Sequence, residues 1–460
     1  MRIAITAVLV AALAGLTGFA VLELGFLDTH DDGMLIACVA GAWALFALAF
    51  FALRRVKLRA AVVIILVGSA LIGGAAMAGP PNTSTDSARY AWDGIVQSHG
   101  ISPYKYVPVD DALASLRPDW LFPAATKGPS GEDECLQPRT HLTSSVPSHT
   151  ALCTAINRSK VPTIYPPAGE LYFAAVRLVT GPDPAYWPLQ LTGLLLSLGV
   201  TVMLLLALRR RGMDPRWAAL WAWCPLVASE GITNSHVDML GAVLVLAATL
   251  LVSSGMRLRG GIALGAAIAT KLIPVIAAPA LLRKQPWKVI VAAIATFAVL
   301  YVPYVLATGI RVIGYLPGYL SEEGYDNGSR FTLLTLFLPK SATLPVAAVI
   351  LAATAVIVWR TSDPVRPWLG QLVMIGTTLL VVSPRYPWYA LMLIPFIALT
   401  GRWEWFSVPL ALMVRQLIPN HSISQAAIAL AVLCIVVAAL CRTGPAGRAR
   451  LLRPLRRMRT

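Results

Sequence analysis

Two carboxylates, Asp86 and Asp93, stand seven residues apart within residues 85–104, soon after an apolar run that is long enough to cross a bilayer. In a helix this gap is close to two turns, so both side chains would lie on one face. The neighbouring side chains that could contact a sugar are Arg89, Tyr90, Trp92, His99 and Tyr104. Carboxylates and aromatic rings at a membrane boundary are suited to acid–base chemistry on a lipid-linked sugar. A polar loop in which Asp86 only caps a helix would give the same pattern.

The composition indicates a membrane protein, because 57% of the 460 residues are hydrophobic and only 13% are charged. Soluble domains usually carry about twice that charged fraction. Apolar runs of near-spanning length recur along the chain and predict an all-α polytopic membrane protein with about 12–14 membrane helices. The predicted spans are 3–22, 33–53, 60–78, 187–208, 216–230, 237–254, 287–306, 343–359, 367–383, 388–401, 404–418 and 424–441. A further apolar segment, 260–282, is expected to break at Lys271 and Pro274.

Lys and Arg are concentrated in alternate loops, which predicts that both termini are cytoplasmic. The chain then divides into a three-helix segment 1–78, a large extracytoplasmic loop 79–186, a multi-helix domain 187–441 and a basic tail 442–460. Most acidic residues fall on the outer side, so the outer face is expected to carry the chemistry. We interpret the tail as an anchor to anionic membrane lipid, and not as a nucleic-acid-binding element, despite the net charge of +16.

The outer loop contains two of the six cysteines, Cys135 and Cys153, and these are expected to form a disulfide. Two unpaired thiols are the alternative. Residues 163–177 predict a short amphipathic helix on the outer surface. Glu170 on that helix is either functional or part of a solvated face.

Other polar groups fall at the outer ends of predicted spans, in residues 234–238, 321–331, 383–389 and 415–421. Ionisable groups near membrane depth are costly and are usually functional or paired. The alternatives are a helix-end hydrogen bond for His236 and Asp238, a solvated charge for Arg330, and an aromatic belt with a snorkelling arginine around Arg385. The sequence has no phosphate-binding glycine loop and no metal-ligand motif, so we expect neither a cofactor nor a metal.

Five segments together resemble bacterial GT-C membrane glycosyltransferases: DSARYAWDGIVQSHGISPYKY, NRSKVPTIYPPAGELYF, NSHVDMLGAVLVLAA, ATKLIPVIAAPALLR and SPRYPWYALMLIPF. The likeness is closest to glycosyltransferase family 87 and related polyprenyl-phosphate-mannose-dependent mannosyltransferases. It implies a GT-C-like helix bundle whose active site is extracytoplasmic and whose catalytic carboxylate follows a span, where Asp86 stands. Many relatives carry this loop after the first span, whereas here it follows the third. Asp31 and Asp32 in the first outer loop, and also Asp93, therefore remain rivals.

The resemblance implies inverting sugar transfer from a polyprenyl-phosphate donor to a glycolipid or glycan acceptor, with Asp86 as the general base. Mannose is the expected sugar and arabinofuranose is the alternative. The cations expected against the leaving phosphate are Arg385, Arg330, His236 and Lys271. Asp93 and Tyr104 are expected to shape the sugar pocket. The further expected substrate contacts are Arg89, Asp238 and Tyr386.

Two other functions fit parts of the sequence. A transporter or flippase of lipid-linked sugars would use Lys271 and Asp238 as polar sites within the membrane. An accessory protein would present its outer loop to a partner, and Asp86→Asn would then be harmless. The one large outer loop and its carboxylates favour the enzyme.

Overall fold

The computed structural model describes residues 1–25 and 32–443. The rival carboxylate Asp31, the side chain of Asp32 and most of the predicted basic tail lie outside the described residues.

The described chain is built almost wholly from helices, joined in places by 3₁₀ turns. The helices are α1 (Arg2–Glu23), α2 (Asp32–Leu53), α3 (Leu58–Ala76), α4 (Asp86–Ser98), α5 (Pro167–Thr180), α6 (Trp187–Arg210), α7 (Ala219–Ala222), α8 (Asp238–Ser253), α9 (Arg257–Thr270), α10 (Pro286–Thr308), α11 (Leu316–Glu322), α12 (Lys340–Thr361), α13 (Trp368–Val382), α14 (Ile394–Thr400), α15 (Ser407–Leu417) and α16 (His421–Arg442). The strands form two antiparallel hairpins, β1 (Thr126–Lys127) with β2 (Asp133–Glu134), and β3 (His141–Ser144) with β4 (Ala151–Thr154).

Within the described residues, seven helical segments are long and apolar enough to cross a membrane. They are Arg2–Glu23, Gly33–Leu53, Leu58–Ala76, Trp187–Arg210, Pro286–Glu322, Lys340–Thr361 and His421–Arg442. An eighth span would be the pair Val227–Thr233 and Asp238–Ser253, which is bent by 111°. The prediction of an all-α polytopic membrane protein is therefore confirmed, with fewer continuous spans than the sequence pattern indicates.

The difference lies in the short apolar stretches, which form short or broken helices. Residues 388–401 lie mostly in a 3₁₀ turn, Pro387–Met392, and in α14 that follows it, and their side chains are almost all buried within the protein. Proline interrupts this stretch, because it lacks the N–H that a continuous helix needs. Hydropathy alone does not distinguish a segment buried by protein from one buried by lipid. The segment 260–282 breaks as predicted, because α9 ends and Lys271 adopts an extended backbone.

The predicted outer loop contains a compact pair of helices. α4 packs directly on α5, and the close approach occurs at Gly94, where a Cβ atom would overlap the carbonyl oxygen of Phe173. Cys135 and Cys153 are joined by a disulfide, which links β4 to the chain just after β2. The outer segment therefore has its own packed scaffold.

Hydrogen bonds fix the chain that leads from α3 into α4. The side-chain oxygen of Asn234 accepts from the backbone N–H groups of Asn82 and Thr83, both at 3.2 Å. Gln190 on α6 donates to the carbonyl oxygens of Gly79 and Thr233, both at 2.9 Å. These bonds tie the start of α4 to the turn that precedes α8, and so they set the position of Asp86.

Candidate active site

Asp86 is the first residue of α4, and its carboxylate is held between two elements that are distant in sequence. Its Oδ1 accepts a hydrogen bond of 3.2 Å from the side chain of Asn157. Its Oδ2 lies 3.6 Å from Nδ1 of His236. These contacts hold the Asp86 side chain in place. The side chain is 19% exposed, so a substrate can still reach it.

His236 is fully buried between two carboxylates. Its Nε2 lies 3.3 Å from Oε2 of Glu230, and its Nδ1 faces Asp86. The imidazole stacks on the indole ring of Trp388, with the ring centroids 3.7 Å apart. Glu230 belongs to a π-helical turn, Val227–Thr233, of the kind that often occurs at functional sites. The imidazole therefore lies behind Asp86, between Glu230 and the ring of Trp388.

Asp86 lies in the wall of a cavity of about 580 Å³. The wall is formed by the start of α4, the loop before α5, the break after α9, the region of α11, and the chain that follows α13. The cationic side chains in this wall are Arg89, Arg158, Lys271 and Arg330. The cavity therefore combines one carboxylate with several cations, which suits a substrate that has both a hydroxyl group and a phosphate.

Each of these cations is held by a carboxylate that does not line the cavity. The pairs are Arg89 with Asp93 at 2.9 Å, Arg158 with Glu322 at 2.8 Å, Lys271 with Asp238 at 2.7 Å, and Arg330 with Glu323. A charge with a partner avoids much of the cost of burial, and the partner also fixes its position. The cations are thus oriented before any anionic substrate arrives.

A buried polar network lies beneath Arg89 and joins α4 to α5. Arg89 Nε donates to both oxygens of Asp93, and Glu170 accepts hydrogen bonds from Thr163 at 2.6 Å and from Gln97 at 2.8 Å. Burial raises the pKa of Glu170 well above its ordinary value, and the negative charge of Asp93 adds to this. Burial also raises the pKa of Asp93, although the Arg89 guanidinium acts against it. Glu170 is fully buried in this network, so the solvated face considered for it from sequence is wrong.

Aromatic rings form much of the remaining wall. Tyr386 stacks on Trp388 with ring centroids 4.3 Å apart, and the ammonium group of Lys271 lies 4.3 Å from the ring centroid of Tyr389. The hydroxyl of Tyr389 is 2.9 Å from that of Tyr319. Aromatic faces of this kind bind apolar faces of sugar rings and also stabilise nearby cations.

One side of the cavity is apolar, and its side chains are also exposed on the surface of the protein. Leu272, Val275 and Leu320 line the cavity and are also exposed. In a membrane-spanning protein, such side chains provide a contact for a hydrocarbon chain.

The structure brings five of the residues predicted from sequence into the cavity wall: Asp86, Arg89, Lys271, Arg330 and Tyr386. Three more lie outside the wall and contact residues that form it: Asp93, His236 and Asp238. Arg330 is buried in its ion pair, so the solvated charge considered for it is wrong.

Two predicted contacts, Tyr104 and Arg385, lie away from the cavity wall. Tyr104 is buried against Tyr304, and its hydroxyl donates to the carbonyl oxygen of Tyr165 at 2.6 Å. Arg385 is exposed, whereas the next residue, Tyr386, lines the cavity. Neighbouring residues of an irregular segment point in different directions, and the sequence pattern does not say which one faces inward.

Sequence reasoning missed several residues of the site: Asn157, Arg158, Glu230, Glu322 and Glu323. Glu230 carried a usable signal, since it is an acidic residue at the end of the predicted span 216–230, and ionisable groups near membrane depth are usually functional or paired. Arg158 carried none, because it lies in a loop among other polar residues.

Comparison with known proteins gives one match. Residues 163–384 match the family model described as Glycosyltransferase family 87. This region includes His236, Lys271 and Arg330, while Asp86 lies before it. No curated protein matches the chain, and no solved structure does.

Proposed function

We propose that the chain transfers mannose from a polyprenyl-phosphate donor, because residues 163–384 match the model of glycosyltransferase family 87, a GT-C-type family of membrane glycosyltransferases. The acceptor is a glycolipid or glycan, and the transfer inverts the configuration at the anomeric carbon. The observation that carries this proposal is the occurrence of the Asp86 carboxylate and paired cations in the wall of one cavity.

Asp86 is the general base in this mechanism. Its carboxylate takes the proton from the acceptor hydroxyl as the hydroxyl oxygen bonds to the anomeric carbon of the donor sugar. The bond from that carbon to the phosphate oxygen breaks, and its electron pair leaves with the polyprenyl phosphate. A positioned general base contributes roughly 10²–10⁴-fold to the rate. Asn157 and His236 orient the carboxylate for this step.

The cations stabilise the phosphate as it gains negative charge. Lys271, Arg330 and Arg158 all line the cavity, and two of them are arginines, which can grip phosphate oxygens in a bidentate manner. Donors that are already in position at the leaving group cost no reorganisation during the reaction. Because each cation keeps its own carboxylate partner, the cavity holds cationic groups without a large unpaired buried charge.

The apolar side of the cavity supports a lipid-linked donor. A polyprenyl chain would lie against Leu272, Val275 and Leu320, with its phosphate directed towards Lys271. The sugar would then lie against the aromatic wall formed by Tyr386 and Trp388. A water-soluble nucleotide sugar would leave the apolar wall without a partner.

We place the active site on the extracytoplasmic side of a bacterial plasma membrane, with both termini cytoplasmic. The distribution of basic residues supports this orientation, and a disulfide in the 79–186 loop fits an oxidising compartment. In this proposal the 79–186 loop supplies Asp86 and residues 187–441 supply the donor site. Residues 1–78 support them, and the basic tail 442–460 contacts anionic lipid.

The test is a donor panel offered to the purified protein with a membrane glycolipid extract as acceptor. The donors are radiolabelled polyprenyl-phosphate-mannose, polyprenyl-phosphate-arabinofuranose and a nucleotide-linked mannose. We expect mannose transfer from the polyprenyl donor, with an inverted linkage in the product. Transfer of arabinofuranose alone would overturn the choice of sugar, and transfer from the nucleotide donor alone would overturn the donor class.

A further inference from the structure

A second concave surface lies between α10 and α12, at the end of α10 that is remote from the catalytic cavity. This groove has a volume of about 370 Å³, and its walls are apolar. Its wall includes Leu282, Pro286, Ile290, Val356 and Trp359. Neither the proposed transfer reaction nor its substrates use this surface.

The groove follows the helix axes. Pro286 and Ile290 are one turn apart on α10, and Ala355 and Trp359 are one turn apart on α12, so each pair shares a helix face. The indole N–H of Trp359 donates to the carbonyl oxygen of Leu282 at 3.2 Å, which closes one end of the groove. From that end, the walls run one helical turn along two predicted membrane spans.

Cations are concentrated at the closed end. Arg283 and Lys284 follow Leu282, Lys288 lies in the first turn of α10, and Arg360 follows Trp359. Arg283, Lys284 and Arg360 are exposed. Over the described part of the chain, none of these four side chains forms an ion pair with a carboxylate. This contrasts with the catalytic cavity, where every cation has a carboxylate partner.

We propose that this groove is a binding site for an anionic glycerophospholipid. One acyl chain lies along Ile290 and Val356, and the phosphate contacts Arg283, Lys284 and Arg360. The apolar walls alone would accept any lipid chain, so the unpaired cations at one end are what selects an anionic headgroup. Free phosphate would use the cations and leave the walls bare, which is why the occupant is a lipid.

The test is native mass spectrometry of the purified protein, titrated with phosphatidylglycerol or phosphatidylcholine. Cations near an anionic lipid each contribute about fivefold in affinity, so the triple variant Arg283→Gln/Lys284→Gln/Arg360→Gln should bind phosphatidylglycerol roughly 100-fold more weakly. Binding of phosphatidylcholine should not change. Equal affinity of the wild type for the two lipids would overturn the proposal.

Two further variants distinguish a specific lipid-binding site in the groove from non-specific attraction to surface charge. Arg55→Gln/Lys57→Gln/Arg59→Gln removes three exposed cations from the turn after α2 and the first turn of α3, and should bind phosphatidylglycerol as the wild type does. A loss equal to that of the groove variant would contradict a specific site.

Val356→Phe fills the groove and leaves its cations in place. Because Val356 is exposed, the larger ring does not disturb the core. This variant should lose the tightly bound phosphatidylglycerol. Unchanged binding would show that the acyl chain does not lie in the groove, and so it would overturn the proposal.

Discussion

Arg158 is the cation of the cavity whose role is easiest to isolate. Its side chain and that of its partner Glu322 are both partly exposed, so removing the charge leaves no buried carboxylate unpaired. We expect Arg158→Gln to raise KM for the polyprenyl-phosphate donor roughly tenfold, because a hydrogen bond to a charged group contributes about 1.5–3 kcal/mol. Steady-state kinetics with varied donor would measure this.

Lys160→Gln is the matched control, since Lys160 is an exposed cation two residues away that contacts Ser144 and does not line the cavity. It should leave KM unchanged. If both variants raise KM equally, Arg158 acts through general surface charge and has no direct contact with the donor phosphate.

At the residue scale, the sequence predicted types of residue better than their contacts. Asp86 could be found because a carboxylate and aromatic residues follow a span. Arg385 was predicted to line the site and Arg158 was not, whereas the cavity wall contains Arg158 and not Arg385, because the direction in which an irregular chain turns leaves no sequence pattern. The carboxylates that hold the cations are distant in sequence in several cases, as with Lys271 and Asp238 or Arg158 and Glu322. Pairing of this kind is a property of the fold and leaves no local pattern.

At the scale of elements, the site depends on the contact between α4 and α5. Gly94 permits the helices to approach, and the network of Arg89, Asp93 and Glu170 lies in the interface. Tyr304 on α10 donates to Gln97 at 2.6 Å, which extends the network to a membrane helix. Movement of α5 would therefore move Arg89 as well as Asp86.

The raised pKa of Glu170 makes the stability of this interface depend on pH. The neutral carboxyl stabilises the folded state fully below about pH 4.5, the ordinary pKa of a glutamate. That contribution is lost as the pH rises from there to the raised pKa of the folded state. Glu170→Gln keeps a neutral group of the same shape, so its thermal unfolding temperature should fall less than that of the wild type between pH 5 and pH 9.

Glu134→Gln serves as the control for this comparison, because Glu134 lies on a hairpin outside the interface. Its unfolding temperature should follow that of the wild type across the same pH range. An identical pH dependence of the wild type and Glu170→Gln would show that Glu170 is ionised in the folded state.

At the scale of the whole molecule, composition established the membrane class, but it overstated the number of continuous spans. Residues 388–401 and 404–418 are apolar because they are packed inside the protein, where they form short helices around proline residues. The long helices α1, α3 and α6 agree with their predicted spans, since each is an uninterrupted apolar run that is long enough to cross a membrane. The number of spans is therefore least predictable where a segment is shorter than a membrane.

The proposed orientation predicts which surfaces an impermeant maleimide reaches. In a Cys434→Ser/Cys441→Ser background, the variant Ser130→Cys should be labelled in intact cells, because Ser130 is an exposed residue of the predicted outer loop. The variant Lys284→Cys should be labelled only after the membrane is permeabilised, because the proposed orientation places this exposed residue on the cytoplasmic side. The opposite pattern would place the cavity on the cytoplasmic side.

The role of Asp86 as the general base is tested most directly by comparing sugar transfer by the wild type and by Asp86→Asn, in membranes supplied with polyprenyl-phosphate-mannose at matched expression. Asp119→Asn, at an exposed aspartate that does not line the cavity, is the control. We predict that Asp86→Asn lowers transfer by about 10²–10⁴-fold, as expected for loss of a general base. Asp119→Asn should retain full activity. Equal transfer by the wild type and Asp86→Asn would contradict the assignment of Asp86 as the base.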